Sequence, residues 1–206
     1  MNVSGLRFLS TLTLALCFWL GLVQSAIWNG AATPAWITAL PGAHGLASHI
    51  FTRVGAPLSM EPYYFFGRIV PAVYAGLLIT LFRLPHLRPA LQRPRAYRLM
   101  LIALLVALAG DLTAYWGGGW YGTGVRFWGF WVTEVPSLLA TMAAALTAGI
   151  TIRREDRTAG LVLALLPLMS ILATLAFAYM PHGPLLGFCV AGFLLLWLPS
   201  GSRPAA

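Results

Sequence analysis

Long apolar runs dominate this sequence, and they restrict the chain to a narrow set of folds. About 20 apolar residues are needed for a helix to cross the hydrocarbon core of a bilayer, and most of the runs reach that length. Only 9% of the 206 residues are charged, against about 25% in soluble domains. We therefore expect a single all-α transmembrane domain, a polytopic six-helix bundle. The six predicted spans cover residues 6–28, 63–82, 97–116, 127–152, 159–180 and 183–198.

Basic residues cluster on one side of these spans. Residues 83–98 carry five arginines and residues 153–157 carry three, while Arg7 and Arg203 lie near the two ends of the chain. Loops rich in basic residues stay on the cytoplasmic side of a membrane. We therefore predict a multi-pass protein of a bacterial-type inner (plasma) membrane, with both termini in the cytoplasm. The first run, which ends in a Val-Gln-Ser-Ala stretch at residues 23–26, has an alternative interpretation as a cleaved signal peptide.

The net charge of +8 restricts the partners. All thirteen basic residues are arginines, which excludes Schiff-base chemistry on lysine. The one-sided charge fits anionic lipid headgroups at the cytoplasmic face, and no motif for nucleic-acid binding accompanies it. The expected partners are therefore the lipid bilayer and either a second copy of the chain or another membrane subunit. Cys17 and Cys189 are isolated in apolar runs, and no cofactor is predicted.

The opposite, outer side of the bundle is rich in aromatic residues. The connection at residues 29–62 is too apolar for a free loop, so we predict two short helices lying in the membrane interface. Six of the eight tryptophans fall on this side, which indicates an aromatic belt or, alternatively, a vestibule for a hydrophobic ligand. The glycine-rich segment 117–124 joins two spans, and we interpret it as a flexible turn rather than a nucleotide-binding loop.

Three charged residues fall inside consecutive predicted spans. Arg68, Asp111 and Glu134 lie at a similar depth from the outer surface, about 7 Å at 1.5 Å per residue. Small residues recur at helical spacing beside each of them, which is typical of packed faces, so all three should point into the bundle. One arginine does not neutralise two carboxylates. The remaining charge requires a shared proton, a bound cation, or Arg53 or Arg126 turned inward.

Neighbouring polar residues extend this cluster. Ser137 and Thr141 continue the face of Glu134, and Tyr115 lies one turn beyond Asp111. Prolines just deeper than two of the charges are expected to kink their helices and open room for a polar pocket. The candidates for binding a ligand, a proton or a cation are therefore Arg68, Asp111, Tyr115, Glu134, Ser137 and Thr141.

Three histidines fall in the outer segments of the chain. His44 and His49 are five residues apart, about 140° around a helix, so one helix would not bring both onto one metal ion. A site that combines either of them with His182 and a carboxylate is a weaker alternative, and otherwise no metal is predicted.

These features favour transport, or the handling of a small molecule or ion, at an outer-leaflet polar cluster. Two alternatives from other classes stay open: a membrane-embedded enzyme or binding protein for a lipid-like ligand, and an accessory subunit of a membrane complex. A purely structural ion pair would also explain the charges. The short motifs of serine hydrolases, zinc proteases and nucleotide-binding proteins are absent from the sequence.

Overall fold

The structure is a computed structural model that describes residues 2–40, 61–179 and 182–200. Every regular element in these ranges is helical, which confirms the all-α prediction. Two wider π-helical segments, Thr113–Gly117 and Trp128–Glu134, interrupt the regular α-helices. The α-helices are α1 (Val3–Asn29), α2 (Ala35–Thr38), α3 (Glu61–Gly67), α4 (Val70–Leu87), α5 (Arg95–Leu112), α6 (Gly118–Tyr121), α7 (Thr123–Phe127), α8 (Val135–Ile152), α9 (Arg157–Phe177) and α10 (Gly183–Trp197).

Five helical stretches in the described part of the chain are long and apolar enough to cross a membrane. They are Val3–Asn29, Tyr63–Leu87, Arg95–Tyr121, Thr123–Ile152 and Arg157–Phe177. The remaining predicted span, α10, is apolar but has only 15 residues. At 1.5 Å per residue it is about 22 Å long, shorter than the roughly 30 Å hydrocarbon core.

The long helices form a ring that closes through α10. Helix α1 packs against α4 and α10, α4 against α5, α5 against α8, α8 against α9, and α9 against α10. Most residues of α10 are buried, because this helix also contacts α4. Large apolar side chains such as Phe8, Ile150 and Leu175 are exposed around the outside. A surface of this kind would associate in water, so it indicates contact with lipid.

One end of the ring gathers the arginine-rich segments. Arg88, between α4 and α5, donates to the carbonyl oxygen of Leu195 at 2.8 Å and forms an ion pair with Asp156 at 2.6 Å. Arg7, in the second turn of α1, donates to the Leu196 carbonyl oxygen at 3.2 Å. The start of α1, the end of α10 and both basic connections therefore lie together at this arginine-rich end.

We call the opposite end of the ring the site end. One connection at this end, segment 117–124, has a different structure from the one predicted. Segment 117–124 is not a flexible turn, since α6 and α7 occupy most of it and the chain reverses at Gly122, whose φ is +89°. The first short helix predicted in residues 29–62 is present as α2, where the Trp36 indole donates to the Ala176 carbonyl oxygen at 2.7 Å. The second predicted helix lies outside the described residues.

Candidate functional site

A close crossing of two helical segments brings two acidic residues together at the site end. Gly110 of α5 faces the π-helical segment Trp128–Glu134. A Cβ atom added at Gly110 would lie 2.7 Å from both the Glu134 nitrogen and the Gly129 carbonyl oxygen. No side chain fits this gap, so the two backbones are in contact. Asp111 directly follows Gly110, and the side chains of Asp111 and Glu134 are both completely buried.

His182, in the turn before α10, completes the cluster. Its Nε2 atom lies 3.1 Å from Asp111 Oδ1 and 3.8 Å from Glu134 Oε1. The Tyr74 hydroxyl of α4 donates a 2.8 Å hydrogen bond to the same Glu134 oxygen. One ligand atom from each of Asp111, Glu134 and His182 lies within 4.8 Å of the other two, and all three residues are buried. We call this group the acid–histidine cluster.

The other nitrogen of His182 contacts Gln24. Nδ1 lies 2.9 Å from the amide oxygen, an acceptor, and this contact favours the tautomer that carries the hydrogen on Nδ1. Burial lowers the pKa of His182 to about 4, although the nearby Glu134 charge acts in the opposite direction, so the ring is neutral at pH 7. The Nε2 lone pair therefore faces the two carboxyl groups. This arrangement is favourable only with a proton or a cation between them.

The charge of this cluster is not balanced by the side chains that the structure describes. Among them, His182 is the only basic residue within 4.0 Å of Asp111 or Glu134, and it is neutral. In the same part of the chain, Asp111 Oδ2, Glu134 Oε2 and Gln24 Nε2 are buried without a hydrogen-bond partner. Burying an unpaired carboxylate costs several kcal/mol. Protons or a bound cation must therefore supply the missing positive charge.

Arg68 does not join the cluster, contrary to the sequence prediction. Its side chain is exposed, with Nε 3.4 Å from the Tyr115 carbonyl oxygen and Cζ 5.9 Å from the centre of the Trp116 ring. The prediction assumed one continuous helix through residues 63–82. A turn at Arg68 and Ile69 separates α3 from α4 instead, and the helical spacing on which the prediction depended does not continue across it.

The other predicted site residues differ in their distance from the cluster. Tyr115 is buried beside it, with its ring centre 5.4 Å from that of His182. Thr141 is buried, but its hydroxyl donates to the Ser137 carbonyl oxygen at 2.7 Å, a bond within α8. Ser137 itself is only half-buried. Two predicted histidines, His44 and His49, lie outside the described residues.

Three buried tyrosine hydroxyls form a chain of hydrogen bonds beside the cluster. The Tyr115 and Tyr63 hydroxyls are 3.0 Å apart, and the Tyr179 hydroxyl donates to Tyr63 at 2.8 Å. The Tyr179 oxygen also lies 3.3 Å from His182 Nδ1. Burial raises the pKa of Tyr179 well above its usual value, so its hydroxyl stays protonated and can donate. The three hydroxyls therefore form a hydrogen-bonded chain whose last member, Tyr179, lies beside the imidazole.

Sequence reasoning missed several contributors to this site. Gln24, Tyr63, Tyr74 and Tyr179 were not among the candidates, and His182 was placed in a different combination of residues. Only Gln24 carried a clear signal, because a primary amide within an apolar span of this length needs a buried partner. Buried tyrosines do not stand out in so aromatic a sequence.

Comparison with protein families, with curated proteins and with solved structures found no match to this chain.

The neutral state of His182 predicts a specific pH dependence of stability. The pKa of His182 is about 4 in the folded protein and 6.5 in the unfolded chain, so protonation favours unfolding. The contribution of His182 to stability is complete above pH 6.5 and is lost as the pH falls towards 4, by up to about 3 kcal/mol. Thermal unfolding in detergent between pH 4 and pH 8 should show this loss for wild type relative to His182→Gln. Parallel curves for the two proteins would contradict the neutral imidazole.

Proposed function

We propose that this chain is an integral membrane protein that binds a divalent transition-metal cation in the acid–histidine cluster and takes part in its transport. One observation carries the proposal. Two buried carboxyl groups and the lone pair of an imidazole converge, and no charged group in the described part of the chain compensates them. A purely structural ion pair would need a cation of its own, and Arg68, the predicted counter-charge, is exposed.

The ligand atoms suit a first-row transition metal. Histidine nitrogen and carboxylate oxygen bind Zn²⁺ at about 2.0–2.2 Å, so two ligands of one ion lie roughly 3.0–3.5 Å apart. The separations of 3.1 and 3.8 Å from His182 Nε2 need only small side-chain shifts to match this range. Gln24 and Tyr74 would orient the imidazole and the Glu134 carboxyl group, as hydrogen-bond partners of metal ligands commonly do.

The proposed orientation follows from the distribution of charge. The arginine-rich end would face the cytoplasm by the positive-inside rule, with α10 as a sixth, mostly buried span and both termini on that side. The acid–histidine cluster would then lie near the outer surface of a bacterial-type plasma membrane. Anionic lipids would contact the cytoplasmic face, and a second copy or another subunit would complete the path of the ion through the membrane.

Metal binding should depend on all three residues of the cluster. Purified wild type, treated with a chelator and then titrated with Zn²⁺ or Mn²⁺, should bind one ion per chain by isothermal titration calorimetry. The variants Asp111→Asn and Glu134→Gln each remove a negative charge from the site, and His182→Gln removes the imidazole nitrogen, so each should weaken binding by about 100-fold. A metal concentration that saturates wild type should also raise its melting temperature, and it should raise that of the three variants much less.

Glu155→Gln is the matched control for these variants. It removes a partly exposed carboxylate at the arginine-rich end and should leave metal binding intact. Equal affinity in wild type and all three cluster variants would refute the metal site. Transport is measured separately, as metal flux into proteoliposomes that contain wild type or Asp111→Asn. Tight binding without flux would retain the site and reject the transport role.

A further inference from the structure

An aromatic pocket of about 310 Å³ lies at the site end, beside the tyrosine chain. Its walls include Trp28, Tyr63, Tyr115, Arg126 and Trp131. The volume is at the lower end of the range for small-molecule sites, roughly 300–1,000 Å³. Trp28 and Trp131 are each about half exposed, at 52% and 49%, so the pocket opens to the surroundings of the protein. Aromatic walls of this kind favour an apolar chain or ring.

Among the described residues that line this pocket, Arg126 is the only charged one. Its Cζ atom lies 3.6 Å from the centre of the Tyr64 ring, which holds the guanidinium in place. The Nε atom of Arg126 is buried without a hydrogen-bond partner in the described structure. No carboxylate in that part of the chain lies within 4.0 Å of the guanidinium. Arg126 is therefore free to pair with an anion in the pocket, because no carboxylate among the described residues pairs with it.

A second arginine also packs on α6, because this helix has glycines where the two side chains cross it. A Cβ atom at Gly118 would overlap Arg126 Cγ, and one at Gly119 would lie 2.7 Å from Arg68 Nη2. Arg68 also has no carboxylate within 4.0 Å among the described residues. The side chains of Arg126 and Arg68 therefore cross adjacent glycines of α6, and Arg126 also forms part of the pocket wall.

We infer that this pocket binds an acidic phospholipid, with the phosphate held by Arg126 and Arg68 and the upper acyl chain against the aromatic walls. Guanidinium groups bind phosphate through paired, charge-assisted hydrogen bonds. A free phosphate ion would gain little from aromatic walls, whereas a lipid gains from both parts of the site. Exposed tryptophans such as Trp28 and Trp131 belong to the pocket wall, and rings of this kind favour the level of lipid headgroups. This lipid site is separate from the proposed cation site and does not depend on it.

Quenching of tryptophan fluorescence by brominated lipids tests the inference, because Trp28 and Trp131 line the pocket. In phosphatidylcholine vesicles, wild type should be quenched at lower mole fractions by brominated phosphatidylglycerol than by brominated phosphatidylcholine. Arg126→Gln should reduce this preference about tenfold, since a charge-assisted contact to phosphate is lost. Arg68 is exposed, so Arg68→Gln should not impair folding. This variant should reduce the preference for phosphatidylglycerol by about threefold.

Arg98→Gln removes the same charge from an exposed position elsewhere on the chain and serves as the control. It should keep the preference of wild type. Equal quenching by the two lipids in wild type, or equal preference in the Arg126, Arg68 and Arg98 variants, would overturn the inference. Loss of the preference on addition of millimolar inorganic phosphate would assign the site to a free anion and would also overturn it.

Discussion

Gly110→Ala is expected to lower the free energy of unfolding by about 3 kcal/mol and to abolish metal binding in the same protein. The added methyl group would lie 2.7 Å from backbone atoms of Gly129 and Glu134, and backbone cannot rotate aside as a side chain can. The two segments must therefore move apart. Because Asp111 and Glu134 lie on opposite sides of this contact, their carboxyl groups separate with it. Unfolding in mixed detergent micelles and metal calorimetry measure the two effects.

Gly124→Ala is the matched control, because it makes the same chemical change at the same end of the molecule. An added Cβ at Gly124 would have no atom within 4 Å, and the residue lies in a helix, where alanine is favoured over glycine. It should be as stable as wild type or slightly more stable and should bind metal normally. If Gly110→Ala behaved like Gly124→Ala, the close crossing would not be what positions the two acids.

Part of the site was predictable because it depends on local helical geometry. Asp111 and Glu134 each lie in a run of helical sequence, so the spacing of neighbouring small residues indicated their inward direction and their common depth. A charged residue in an apolar span has few alternatives to the interior. The approach of Asp111 to Glu134 depends on Gly110 and Gly129. Nothing in the sequence marks these two glycines as the point where the two helical segments cross.

The partner of the two acids was not predictable for two physical reasons. Arg68 was assigned by assuming a continuous helix, and the turn at Arg68 and Ile69 breaks the periodicity on which the assignment depended. His182 lies in a turn between helices, where no periodicity indicates direction, and it reaches Asp111 across 71 residues of sequence. Only the closure of the ring by α10 brings these residues together.

At the arginine-rich end, too, the sequence predicts only part of what the structure shows. Counting charges in the loops predicts which side of the membrane they face, but it treats every arginine as equivalent. The structure separates them. Arg93 is exposed and pairs with Glu155 at 3.2 Å, whereas Arg88 is only 4% exposed and pairs with buried Asp156 at 2.6 Å. The two ion pairs should therefore differ strongly in their effect on stability.

Arg88→Met should lower the free energy of unfolding by about 3–5 kcal/mol, the range for breaking a buried ion pair from one side. Arg88 joins three segments, since it also donates to the carbonyl oxygens of Leu195 and Leu198 near the end of α10. Asp156→Asn should also lower the free energy of unfolding. Asparagine can still cap α9, as Asp156 Oδ1 does by accepting from the Ala159 amide, so this variant removes the charge alone.

A double-mutant cycle decides whether the pair is structural. The combination of Arg88→Met and Asp156→Asn removes both charges, so it should be more stable than the sum of the single changes predicts. Arg93→Gln, which breaks the exposed pair nearby, should cost no more than about 1 kcal/mol. Metal binding at the other end should survive in every one of these variants that remains folded. Additive single effects, or a cost at Arg93 equal to that at Arg88, would contradict the assignment. If the predicted coupling is found, the ion pair at the arginine-rich end stabilises the helix packing. Asp111 and Glu134, which have no such partner, would then be the acidic pair that serves binding.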